Sequence, residues 1–112
     1  MTVAAALTTE EREVIRRAMS ATFQFFDFDF GARLGVAPEA MRAILKRWPD
    51  VNDAEDSSDV SLAINNTMND LLHGVGISDD EAQRITGASR AEMYRIYRKW
   101  AESRGWPSTG VR

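Results

Sequence analysis

Cysteine is absent from the 112-residue chain, which excludes disulfides, thiolate metal sites and a cysteine nucleophile. Histidine occurs once, as His73, too few for a histidine-built metal site or a catalytic triad. No apolar run approaches the roughly 18 residues of a membrane span. The N-terminal residues lack a charged stretch followed by an apolar one, the mark of a secretion signal. Glycine-rich phosphate loops, a nucleophile elbow and paired histidine–carboxylate spacing are all missing. These absences predict a cytoplasmic protein that is not an enzyme and takes no cofactor or metal.

Lysine is scarce too. Only Lys46 and Lys99 are present, so twelve of the 14 basic residues are arginine. Arginine suits bidentate contacts to phosphate or base edges, although a GC-rich coding sequence explains the same bias. The net charge of −3 hides an asymmetry. Residues 1–81 hold 7 bases and 15 acids, whereas residues 82–112 hold 7 bases and 2 acids. Only the C-terminal segment therefore suits a polyanion. With 44% apolar residues the chain is expected to form a single domain over residues 1–112.

The pattern is helical throughout. Thr8 and Glu11 form a capping box that opens a helix over about 9–25, with Ile15, Met19, Thr22 and Phe23 on one face. A short helix over about 28–34 is broken by Gly35. Pro38, with its fixed φ, starts a third helix that stops before Pro49. Residues 50–58 form an acidic linker. Ser58 or Asp59 opens a fourth helix, whose face is Val60, Ile64, Met68, Leu71 and Leu72 and which ends at His73-Gly74. Ser78 and Glu81 cap a fifth helix over about 79–86, Gly87 interrupts, and Ser89 and Glu92 cap a sixth over about 90–104. Residues 106–112 form a tail.

The halves repeat. At an offset of 52 residues Asp27 meets Asp79, Gly35 meets Gly87, Met41 meets Met93, Ile44 meets Ile96 and Trp48 meets Trp100. The matches fall on the glycine turn and the apolar face, as in a duplicated unit. The expected fold is all-α: six helices as two similar three-helix units, residues 8–49 and 59–105, sharing one core. Trp48 and Trp100 are the expected core anchors.

Short helix, glycine turn and a second helix ending in Trp resembles the helix-turn-helix of the three-helix, homeodomain-like DNA-binding superfamily. The resembling segments are FGARLGVAPEAM, residues 30–41, and AQRITGASRAEM, residues 82–93. The motif usually has a small residue four positions before the glycine and Leu just before it. Gly31 and Leu34 fit this in the first copy, while Gln83 and Thr86 depart from it in the second.

The resemblance implies a small DNA-binding, transcription-regulating protein that uses helix 90–104 as its recognition helix. Arg90 and Arg95 would reach base edges. Tyr94, Arg98, Lys99 and Arg104 would reach phosphates, with Arg84 on the helix before touching backbone. In the first copy Glu39 opens the second helix and would repel phosphate, so that copy is expected to be structural or to bind protein. A single such site binds weakly, which favours a homodimer or a partner. Two readings stand against this one. The arginines of helix 90–104 can form an ordinary solvated face through pairs such as Arg95–Glu92 and Arg98–Glu102. The whole chain can also be a non-catalytic protein–protein interaction module of the same fold.

Overall fold

A computed structural model describes residues 7–26, 29–52 and 58–103. They form an all-α fold of six α-helices: α1 (Thr9–Phe25), α2 (Phe30–Leu34), α3 (Pro38–Arg47), α4 (Asp59–Asn69), α5 (Asp79–Thr86) and α6 (Arg90–Ser103). The expected placements of Asp27 and Phe28, of linker residues 53–57, of Arg104 and of the tail lie outside the described residues.

Four of the six helices, α1, α4, α5 and α6, start where a side chain satisfies one of the first free N–H groups. Thr8 Oγ1 accepts from the Glu11 N–H, and Glu11 Oε1 accepts from the Thr8 N–H at 2.8 Å, a complete capping box. Ser58 and Ser78 accept from the N–H groups of Ser61 and Glu81. Asp29, by contrast, precedes α2 without a side-chain cap; its carboxylate lies 3.8 Å from Arg33. Gly35 and Gly87 end α2 and α5 at φ +72° and +79°, the left-handed conformation that favours glycine.

The end of α4 differs from a plain glycine stop. The helix continues into one π-helical turn, Asp70–Gly74, in which the Val75 N–H donates to Asp70 O at 2.7 Å. Asp70 also pairs with Arg33 of α2 at 3.0 Å, and its carboxylate lies against Gly74, where a Cβ would come within 1.8 Å of Oδ1. Gly74 is thus needed for close approach, while the left-handed glycine of this loop is Gly76, at φ +70°.

One core joins all the helices. Ile15, Met19, Leu34, Met41, Ile64, Met68, Met93 and Trp100 are fully enclosed within it. Trp100 is a central anchor, as expected. Trp48 is only half-buried and binds at the edge, donating from Nε1 to Arg12 O at 3.1 Å. The packing crosses between the halves. α1 packs on α3, α4 and α5, and α4 packs on α2, α3 and α6. The short helix of each half therefore rests on the long helix of the other. Asn66 of α4 donates to Leu34 O at 2.8 Å beside Gly35, and Arg17 of α1 lies beside Gly87.

Candidate nucleic-acid interface

The segment from α5 to α6 is held from both sides of its turn. Thr86, at the position where the motif usually has Leu, is buried. Its hydroxyl donates to Ala82 O at 2.7 Å and accepts from the Ala88 N–H at 3.1 Å. A polar side chain thus closes the turn by hydrogen bonding where Leu34 closes the first turn by burial. The start of α6 is fixed by Ser89 Oγ, which accepts from the Glu92 N–H, and by Asp79 Oδ1, which accepts from the Arg90 N–H at 3.0 Å.

Burial divides α6 into two faces. Met93, Ile96, Tyr97, Trp100 and Ala101 point into the core. Ala91, Glu92, Arg95, Arg98 and Glu102 are exposed, with Tyr94 and Lys99 half-buried beside them. Tyr94, Arg95, Arg98 and Lys99 border a shallow surface groove of about 390 Å³.

Arg90 does not project outward, contrary to expectation. Its guanidinium turns back to donate to Ile77 O and, at 2.9 Å, to Leu72 O. These are carbonyls beyond the last full turn of α4 and in the loop that follows, so Arg90 caps α4 from α6. The sequence gives no sign of this, because its acceptors lie 13 and 18 residues away.

The other cations of α6 face outward but are paired. Arg95 binds Glu92 at 2.7 Å and Glu11 of α1 at 3.0 Å. Both carboxylates raise its pKa, which keeps it charged at any ordinary pH. Lys99 binds Glu11 at 2.8 Å. Arg98 lies 3.6 Å from Glu102, with its guanidinium over the Tyr94 ring at 5.8 Å; the same ring meets His73 edge-on at 6.0 Å. The i,i+3 and i,i+4 pairs expected of a solvated face are therefore present. Glu11 was legible only as a capping residue. Its side chain is 9% exposed and gathers Arg95 and Lys99 of α6. Burial pushes its carboxyl up, but hydrogen bonds from Lys99, the Thr8 N–H and Arg95 outweigh this and hold it at about 2. Three cations and three carboxylates make the outer face of α6 electrically balanced.

The second helix of the first copy carries a different charge pattern. Arg42, Lys46 and Arg47 of α3 are exposed, and none has an ion pair among the described residues. Arg42 lies over the Phe23 ring of α1 at 4.8 Å. Glu39 is the one acid exposed on this helix. Arg84 of α5 is 64% exposed, 3.6 Å from Glu81.

No family model, curated protein or solved structure matches the chain. Among the described residues no group of three or more His, Asp or Glu side chains could hold a metal ion, and no helix is long and apolar enough to cross a membrane.

Proposed function

We propose that the protein binds double-stranded DNA, as a small regulator of the helix-turn-helix kind, and that it meets the duplex with the outer face of α3. The observation that supports this reading is the set of exposed cations Arg42, Lys46 and Arg47 on one short helix, none with an ion pair among the described residues. Phosphate contacts supply most of the affinity of such proteins, and cations already neutralised by neighbouring carboxylates contribute little counterion release. The balanced face of α6 is thus poorer ground for DNA than its arginine content suggests. Gly35 ends α2 in the left-handed conformation and Pro38 opens α3, whose Met41 and Ile44 are buried while the cations are exposed.

Fluorescence anisotropy with a random-sequence duplex at about 50 and about 200 mM salt tests the proposal. Salt-sensitive binding is expected, lost in Arg42→Ala/Lys46→Ala/Arg47→Ala and largely kept in Arg98→Ala. No binding at the lower salt, or binding that the triple variant retains, would overturn it.

A protein partner is the second reading, and the α6 groove favours it. A charge-balanced surface with a half-buried Tyr94 at its centre has the composition of a protein contact rather than a phosphate contact. Pull-down with purified protein and a Tyr94→Ala control separates this reading from the first.

A further inference from the structure

A second arginine cluster lies away from both second helices. Arg16, Arg17, Ser20 and Gln24 of α1 face Arg84 of α5 across a groove of about 220 Å³. Residues 16, 20 and 24 recur at one-turn intervals and so share a stripe of α1. Arg16 and Arg17 share one carboxylate: Glu13 accepts from Arg16 Nε at 2.9 Å and Arg16 Nη2 at 2.5 Å, a bidentate pair, and from Arg17 Nε at 2.9 Å. The terminal nitrogens of Arg17 make no hydrogen bond to another described residue. Arg84 has only the 3.6 Å contact with Glu81, beyond hydrogen-bond reach. Ser20 and Gln24 are exposed, and their side chains have no hydrogen-bond partner among the described residues.

We propose that this groove binds a phosphate group. Three guanidinium groups border the groove against two carboxylates, which leaves an excess of positive charge, with the terminal nitrogens of Arg17 and the Arg84 fork outside any hydrogen bond among the described residues. Guanidinium geometry matches phosphate oxygens in bidentate fashion, and a serine hydroxyl and a carboxamide add neutral donors. The volume equals that of about seven waters, enough for a phosphate with a small substituent. The phosphate belongs either to a free phosphate ester or to the backbone of DNA. The groove uses none of the α3 cations, so loss of DNA binding in the α3 triple variant leaves this inference standing.

The test is an NMR titration of the full chain, following backbone amides and arginine side chains. One arm adds inorganic phosphate against sodium chloride of matched ionic strength. The other adds a short duplex to the wild-type chain. Saturable shifts at Arg16, Arg17, Ser20, Gln24 and Arg84 with phosphate alone support the groove and identify a free ester as its ligand. Shifts at the same residues with the duplex alone support it as a contact for backbone phosphate. Arg84→Gln, which alters one exposed side chain, is expected to weaken the responsive arm about tenfold. Ser20→Asp, which adds a negative charge, is expected to abolish the response. No shift in either arm, equal shifts with chloride, or affinity unchanged in Arg84→Gln would overturn the proposal.

Discussion

Lys99 donates to the Glu11 carboxylate at 2.8 Å, joining the end of α6 to the first turn of α1 across 88 residues of chain. Glu11 simultaneously completes the capping box with Thr8 and binds Arg95. One side chain therefore both starts a helix and fixes that helix against another.

Acid should release this tie. The Glu11 carboxyl is lowered from its ordinary 4.5 to about 2 in the fold. A depressed carboxyl pKa contributes stability that is complete above the unfolded value and is lost as pH falls from about 4.5 towards about 2. The contribution is about 2–3 kcal/mol. Glu13, lowered to about 2 by Arg16 and Arg17, acts in the same direction but at a solvated surface. Urea midpoints measured through this window should fall steeply in the wild type and less steeply in Glu11→Gln. Parallel curves for the two proteins would remove Glu11 from the account.

The two turn glycines should not tolerate alanine equally. Both sit at positive φ, so each substitution carries the left-handed cost of about 1–2 kcal/mol. At Gly35 the new Cβ would stand 3.0 Å from Asn66 Nδ2, the group that donates to Leu34 O. At Gly87 the nearest atom is 3.6 Å away, on the flexible Arg17. Gly35→Ala is therefore expected to lower the melting temperature more than Gly87→Ala. The reverse order in thermal melts would contradict this packing.

Arg90 and Arg98 offer a contrast between a half-buried strut and a surface charge. Arg90→Ala leaves the carbonyls of Leu72 and Ile77 without their guanidinium donors and should destabilise by about 2 kcal/mol. Arg98→Ala removes a solvated pair with Glu102 and should change stability by less than about 0.5 kcal/mol. Denaturant titrations of the two variants check the difference directly.

The crossed packing of the short helices makes each half dependent on the other. Fragments 1–52 and 58–112 are expected to be largely unfolded alone and to regain helicity when mixed, as read by circular dichroism. A cooperative melt from either fragment by itself would show that its half is a folding unit.

Local features were readable in the sequence because local chemistry decides them. Thr8–Glu11, Ser58, Ser78 and Ser89 mark helix starts through contacts spanning three residues. Gly35 and Gly87 mark stops through φ alone. The pairs Arg95–Glu92 and Arg98–Glu102 follow from helical spacing. Distant relationships were not readable. The inward turn of Arg90 depends on where the end of α4 lies, and the second role of Glu11 depends on where α6 lies. The π-helical turn at Asp70 accompanies a carboxylate that meets both Arg33 and Gly74, contacts that lie 37 residues apart in one case and across the turn in the other. Charge counted along the chain singled out α6, whereas charge counted in space leaves the α3 cations without an ion pair among the described residues.

Consider the chain as two molecules rather than one. With α2 lying on α4 and α5 lying on α1, each would embrace the other in the manner of an intertwined dimer. A dimer of that kind dissociates on dilution, because its folding depends on protomer concentration. Joining the halves through the segment after Val51 makes the encounter intramolecular. The single chain keeps this mutual packing at any dilution.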